Sequence, residues 1–394
     1  MGRKLARRLC HLKPSATLLI TAKAKELRAK GVDVIGFGAG EPDFDTPDFI
    51  KEACIKALKE GKTKYAPSAG IPELREAIAE KLFKENKVEY SPSEIVISSG
   101  AKMILFLIFM AIIEEEDEVL LPSPYWVTYP EQIRFFGGVP VEVPLNKDKG
   151  FKLTLDDIKD KVSEKTKAIV INSPNNPTGA VYDEEELRRI AEFCVERNIF
   201  IISDECYEHF VYEDKKFISI ASFDEEVKRI TFTVNAFSKS FSMTGWRVGY
   251  VACPEEYAKA IASLNSQSVS NVTTFVQYGA LEALRNPKAN EFIKTMREAF
   301  EKRRNIAIEK LSEIPEVEVI KPEGAFYIFP NFEYYSKKLG GDVKLSEYLL
   351  EEGKVAVVPG SAFGKEGFLR LSYALAEEKL IEGIQRINEV LKKL

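Results

Sequence analysis

The chain is 394 residues long, 45% hydrophobic and 30% charged, which is enough for two or three domains with a large core and too apolar for disorder. Its 56 Lys+Arg and 61 Asp+Glu leave a net charge of −5, which speaks against a nucleic-acid binder, since those need a basic face. Only two histidines, His11 and His209, are present, so a multi-histidine metal site is all but excluded and a Ser-His-Asp triad would rest on one of two residues.

From the N-terminus, the basic residues Arg3, Lys4, Arg7 and Arg8 are followed by Lys13-Pro14 before any signal-length apolar stretch, so no leader peptide is expected. Helical periodicity covers residues 16–30, 50–60, 71–86, 102–113, 183–197 and 289 to about 312. Short apolar runs at 95–98, 119–121, 168–172, 199–203 and 230–234 read as buried strands. This alternation predicts a mainly parallel sheet with helices on both faces. The longest apolar run, 103–113, falls well short of the roughly 20 residues a bilayer span needs and is expected as a buried helix. Beyond about residue 285, strands at 317–320, 325–329, 355–358 and 368–373 mix with helices and suggest a smaller α+β domain. We therefore expect a large domain over 46–285 and a small domain built from 1–45 and 286–394, with the N-terminal part as an arm. Five scattered cysteines (Cys10, Cys54, Cys194, Cys206, Cys253) form no CxxC pair, as reduced thiols of a cytoplasmic protein would.

Open α/β sheets bind ligands at the carboxyl ends of their strands, so those ends carry the functional reading. The strand at 95–98 runs into Ser99-Gly100-Ala101-Lys102 at a helix start, and the one at 119–121 into Pro122-Ser123-Pro124-Tyr125-Trp126. After 168–172 comes Ser173-Pro174-Asn175-Asn176-Pro177-Thr178-Gly179, and after 199–203 comes Asp204-Glu205-Cys206-Tyr207. The strand at 230–234 delivers Asn235-Ala236-Phe237-Ser238-Lys239, then Met243-Thr244-Gly245-Trp246-Arg247. One edge thus collects a phosphate-type turn, an aromatic plane, an amide, a carboxylate, a lysine and an arginine. That assortment suits a planar, phosphorylated, nitrogen-containing ring better than a dinucleotide. Two decoys fail on their own terms. Gly61-Lys62-Thr63 has Lys56 where a P-loop has its first glycine, and the glycines of 36–40 do not follow the GxGxxG spacing of a nicotinamide site.

The segments KPSAT (13–17), GEPDF (40–44), KYAPSAGIPELREAI (64–78), SPYW (123–126), SPNNPTGAVY (173–182), SDECYEHF (203–210), SKSFSMTGWRVGY (238–250), GAFY (324–327) and RLSYA (370–374) follow one another along the chain. In this order the sequence resembles the fold-type I pyridoxal-phosphate aminotransferases of class I, in their aspartate aminotransferase-like branch. The resemblance implies a large domain with a seven-stranded, mainly parallel sheet, a smaller α+β domain, and a homodimer with shared active sites. It also implies pyridoxal 5'-phosphate as cofactor and amino and 2-oxo acids as substrates, exchanged by a ping-pong route through a lysine Schiff base, with no nucleic acid or membrane partner.

Residue by residue, the resemblance makes Lys239 the Schiff-base lysine and proton carrier, Asp204 the counter-charge to the ring nitrogen, and Tyr207 and Asn176 the donors to the ring's phenolic oxygen. Gly100, Ala101, Lys102 and Arg247 match the phosphate site, Tyr65 the tyrosine that reaches a neighbouring subunit's phosphate, and Trp126 the aromatic stacked on the ring. Arg370 matches the fork for the substrate α-carboxylate, with Gly40, Trp126 and Asn176 as further donors. Strand alternation sets Arg370 on the face opposite Leu369 and Leu371. Lys102 matches the residue whose ammonium meets a distal carboxylate, which favours aspartate or glutamate and leaves prephenate open. One position departs: many members carry a hydroxyl three residues before the lysine, and here it is Ala236. Aromatic or prephenate aminotransferases and a β-eliminating lyase share most of these residues and stand as alternatives. A transcription regulator on the same fold would need a DNA-binding domain that the roughly 45 residues before the large domain cannot supply.

Overall fold

A computed structural model of the protein describes residues 6–9, 12 and 16–394. Arg3, Lys4, Cys10, His11 and the Lys13-Pro14-Ser15 part of the first motif lie outside the described residues.

The first strand is β1 (Ile35–Gly36). Seven more build one sheet: β2 (Ile95–Ser98), β3 (Glu118–Ser123), β4 (Val139–Pro144), β5 (Thr166–Asn172), β6 (Phe200–Asp204), β7 (Thr231–Ala236) and β8 (Gly249–Ala252). Their order is β2-β8-β7-β6-β5-β3-β4, and only β8 runs antiparallel to its neighbours. The five anticipated strands are all present. β4 and β8 went unread for physical reasons. β4, Val-Pro-Val-Glu-Val-Pro, is a largely exposed edge strand in which proline replaces pairing donors, so it lacks the apolar run of a buried strand. β8 has four residues and opens on glycine, two residues after the 3₁₀ turn Thr244–Trp246.

The apolar run near residue 103 forms the helix Ala101–Ile112, with Ile104, Leu105, Leu107, Ile108, Phe109 and Ile112 buried. Among the described residues no helix is long and apolar enough to cross a membrane. The segment expected as one helix over 71–86 is two: an α-helix Pro72–Lys81 and a wider π-helical turn Leu82–Asn86, closed by Lys87 in the left-handed region (φ 61°). The wider turn returns Asn86 to Lys81, whose Nζ donates to Asn86 Oδ1 at 2.7 Å.

The C-terminal part carries the helix Lys288–Ser312 and four short strands, β9 (Tyr327–Ile328), β10 (Val355–Ala356), β11 (Val358–Pro359) and β12 (Leu369–Ser372). β10 pairs with β1 in parallel, and β11-β12-β9 form an antiparallel sheet. The expected strand at 355–358 is therefore divided between two sheets. The expected strand at 317–320 is absent; Glu318 makes a single bridge to Asn331. One core cluster contains Ile35, Phe37, Tyr207, Phe210, Ala236, Phe326, Tyr327 and Leu371. The C-terminal sheet thus packs on the ends of β6 and β7, and that junction is where the candidate residues meet.

Candidate active site

Parallel register sets Asn172, Asp204 and Val234 side by side at the ends of β5, β6 and β7. Asn172 ties this edge together. Its Nδ2 donates to the Asp204 carbonyl at 3.0 Å, and its Oδ1 accepts from the Asn176 N–H at 2.9 Å. The Asp204 carboxylate is 4% exposed and takes the Tyr129 hydroxyl at 2.7 Å and the Cys206 N–H at 3.3 Å. Burial among these neutral donors pushes its pKa up, although the hydrogen bonds oppose that shift.

β7 passes directly into the short helix Phe237–Ser240, which carries Lys239. Lys239 Nζ donates to the Gly40 carbonyl and lies 5.9 Å from the Tyr207 ring and 6.0 Å from that of Phe326. Burial drives its pKa down to about 8, with the nearby Arg370 and Arg247 charges adding to the effect and Glu41 working against it. The Tyr207 hydroxyl lies 2.7 Å from that of Tyr327.

Arg370, on β12, is 1% exposed. Its Nη1 donates to Asn176 Oδ1 at 3.0 Å and its Nη2 to the Gly38 carbonyl at 2.7 Å, while its buried Nε has no partner. The guanidinium stacks 4.6 Å from the Tyr327 ring centroid and 5.1 Å from that of Phe363. Neutral acceptors hold this buried cation, and it keeps hydrogen-bonding capacity for an anion. Lys239 and Arg370 converge on the same loop, one on Gly40 and the other on Gly38.

A second cationic corner forms at the start of the helix Ala101–Ile112, which has no side-chain cap. Gly100 takes φ 83°, and a Cβ there would stand 2.6 Å from Arg247 Nη2. Arg247 is fixed by donating to the Thr244 carbonyl at 3.0 Å and the Ser99 carbonyl at 3.2 Å. A Cβ on Gly249 would stand 2.6 Å from the Ala101 nitrogen, so the turn, the arginine and β8 are in close contact only because two glycines allow it. Helix-start amides beside a guanidinium form an anion cradle. Lys102 is exposed, its pKa lowered by desolvation of its amine and by Arg247, with Nζ 5.0 Å from the Trp126 ring. Trp126 meets Tyr129 edge-on at 5.5 Å.

The structure therefore brings together Lys239 with Gly40 and Tyr207, Arg370 with Asn176, Gly100 and Ala101 with Arg247, and Lys102 with Trp126. Tyr65 stands apart, 90% exposed. Tyr129, Asn172 and Tyr327 escaped the sequence reading, although all three lie within or beside segments it had singled out. Tyr129 is three residues past Trp126, Asn172 opens the Asn-rich turn, and Tyr327 ends GAFY. One arrangement looks like a hydrolytic triad. His209 Nδ1 lies 2.7 Å from Ser240 Oγ and its Nε2 lies 3.2 Å from Glu85 Oε2. Ser240 is 2% exposed, which leaves its oxygen no route to a substrate.

The donor set fits pyridoxal 5'-phosphate. The glycine-lined cradle with Arg247 matches a phosphate dianion, and the buried Asp204 carboxylate matches a cationic ring nitrogen. The Tyr207 hydroxyl suits a phenolic oxygen, and the Lys239 amine of lowered pKa suits an aldehyde carbon.

Comparison with known proteins gives the family. The family described as "Aminotransferase class I and II" matches residues 32–387. A protein of Aquifex aeolicus named "Probable aspartate/prephenate aminotransferase" is 79% identical over 394 residues, covering all of both chains. The aspartate aminotransferase of Bacillus subtilis is 50% identical over 392 residues, 99% of each chain. Among solved structures, aspartate aminotransferase from Thermus thermophilus with maleate superposes with a TM-score of 0.94 at 46% identity, covering 99% of this chain and 100% of that one.

Proposed function

The chain belongs to the class I and II aminotransferases, and from that premise we propose how its residues move an amino group between aspartate and a 2-oxo acid such as 2-oxoglutarate. Its activity is that of an aspartate aminotransferase-like transaminase. Aminotransferases of this class generally use pyridoxal 5'-phosphate, which when bound supplies an aldehyde for the amine and a ring that draws electrons from the adjoining carbon.

Lys239 would hold that group by its amine. The amides of Gly100, Ala101 and Lys102 and the Arg247 guanidinium would take its phosphate, and Trp126 would lie on the ring. Asp204, kept in place by Tyr129, would face the ring nitrogen. Tyr207 and Asn176 would donate to the phenolic oxygen. Tyr65 is 90% exposed, which supports a role at the phosphate of a second copy, and we take the working unit to be a homodimer.

Arg370 forks the substrate α-carboxylate, beside Asn176 and the Gly38–Gly40 backbone. That places the substrate Cα toward Lys239, whose pKa near 8 leaves about a tenth of the free amine neutral at pH 7. The neutral amine takes the proton from Cα and returns it on the other side of the transfer. Lys102 presents its ammonium to the distal carboxylate. The unpaired cysteines among the described residues, Cys54, Cys194, Cys206 and Cys253, support a reducing, cytoplasmic setting.

The observation that carries this reading is the buried Arg370 with its unpartnered Nε, one loop away from the Lys239 amine. A panel of amino donors against 2-oxoglutarate and oxaloacetate tests it. Aspartate and glutamate are expected at the head of the panel, and a panel led by alanine or phenylalanine contradicts it. A second reading, prephenate as the oxo acid, is favoured by the 79% identical relative named "Probable aspartate/prephenate aminotransferase". Amino transfer from aspartate to prephenate decides that point.

A further inference from the structure

Tyr327 is buried completely and touches both halves of the site. Its hydroxyl lies 2.7 Å from the Tyr207 hydroxyl, on the side proposed for the cofactor's phenolic oxygen. Its ring lies against the Arg370 guanidinium, 4.6 Å from the centroid, on the side proposed for the substrate carboxylate. A Cβ built on Gly40 would stand 2.8 Å from Tyr327 Oη, and the Gly40 carbonyl accepts from Lys239.

Two hydroxyls in contact share one donated proton, so the direction of that bond decides what Tyr207 has left to give. If Tyr207 donates to Tyr327, its proton is occupied. If Tyr327 donates, the Tyr207 proton is free for a ligand oxygen. Burial raises the pKa of both phenols and the Arg370 charge works against that in both, so acidity does not choose the donor. Tyr207 is the phenol placed to donate to the cofactor's phenolic oxygen, while the Tyr327 ring lies on Arg370, so the Tyr207 proton is committed to the cofactor and Tyr207 accepts from Tyr327.

We propose that Tyr327 is a positioning residue that donates to Tyr207, turning the Tyr207 proton toward the cofactor's phenolic oxygen while its ring supports Arg370, and that residue 40 is glycine to make room for its hydroxyl. The proposal rests on the roles given above to Tyr207 and Arg370.

The test uses the holoenzyme as wild type, Tyr327→Phe, Tyr207→Phe and the double variant. It reads the pH midpoint of the cofactor's near-visible absorbance together with kcat and KM for aspartate. A hydrogen bond donated to an oxygen favours its deprotonated form, so Tyr327→Phe should raise the midpoint by about 0.5–1 on the pH scale. It should lower kcat about 3- to 10-fold. KM should stay within about twofold, because the phenylalanine keeps the ring under Arg370, while Tyr327→Leu, which removes the ring, raises KM. In the Tyr207→Phe background, Tyr327→Phe should leave the midpoint where it is. Gly40→Ala should damage the wild type and do little further harm in Tyr327→Phe, where the obstructing oxygen is gone.

A wild-type midpoint in Tyr327→Phe overturns the proposal. So does an equal shift in both backgrounds, or a Gly40→Ala loss that Tyr327→Phe does not relieve. If Tyr207→Phe itself leaves the midpoint unmoved, the role given to Tyr207 fails and this inference falls with it. If Tyr207→Phe shifts the midpoint and Tyr327→Phe does not, only the inference fails.

Discussion

Asp204 and Glu205 are neighbours at the end of β6, yet they enter two polar interiors of opposite character. Glu205 is 1% exposed and faces a closed cluster. Its Oε1 accepts from Ser203 Oγ at 3.0 Å and Ser219 Oγ at 2.7 Å. Beside it Glu208 pairs with Lys81 and accepts from Asn86 Nδ2 at 2.7 Å and Asn235 Nδ2 at 2.6 Å. Burial works to raise the Glu208 pKa, and the charges of Lys81 and His209 overcome it and hold the carboxylate ionised. The Asp204 side is left open. Arg370 keeps an unpartnered Nε, Lys239 rests on a carbonyl, and burial moves the lysine toward its neutral form. A polar interior whose groups are satisfied fixes structure, whereas one with spare donors and shifted amines is built to receive a ligand.

Substitutions should separate the two regions. The largest effect belongs to Arg370→Ala. Two charged hydrogen bonds to the α-carboxylate are lost, so kcat/KM should fall about 10²- to 10⁴-fold for every amino acid tested, with the fold retained. A loss confined to dicarboxylates would move Arg370 to the wrong end of the substrate. Asp204→Asn should leave pyridoxal phosphate bound but slow single-turnover amino transfer about 10²- to 10³-fold, as the ring nitrogen loses its counter-charge. An unchanged rate removes that role.

On the closed side, Lys81→Met strands Glu208 and should cost about 3–5 kcal/mol of stability, read as a lower midpoint in denaturant. The folded fraction should still turn over aspartate with wild-type KM. A full-stability variant that is inactive would erase the distinction between the two regions. The smallest effect is the most selective. Lys102→Ala should lose about 10- to 200-fold in kcat/KM for aspartate and little for phenylalanine. Equal proportional losses would confine Lys102 to its backbone role at the phosphate.

The open region was far more legible in the sequence than the closed one. Lys239, Asp204 and Asn176 lie at or just past strand ends, where α/β sheets present chemistry, and Arg370 lies within β12, all four inside recognisable segments. Lys81 and Asn86 sit in adjoining helical segments and Glu208 in a turn far along the chain, and nothing local marks a lysine as buried. The wider turn at Leu82–Asn86 that makes their meeting possible has no pattern signal of its own. Tyr327 and Tyr129 were invisible for a related reason, since their significance lies in what their hydroxyls touch across the fold. The edge strand β4 was lost because it lacks the apolar run of a buried strand, and β8, although apolar and buried, because it is short, opens on glycine and overlaps the segment 238–250.

The central claim is that the Lys239 amine moves the substrate's Cα proton. The direct measurement is loss of label from Cα-deuterated aspartate in ordinary water, comparing holoenzyme with Lys239→Ala reconstituted with pyridoxal phosphate. Wild type should wash the deuterium into solvent during amino transfer. Lys239→Ala should still bind aspartate through Arg370 and Lys102 and should exchange at least about 10⁴-fold more slowly, since both the attaching amine and the base are gone. Exchange in Lys239→Ala at a rate near wild type, without added amine, would contradict the account.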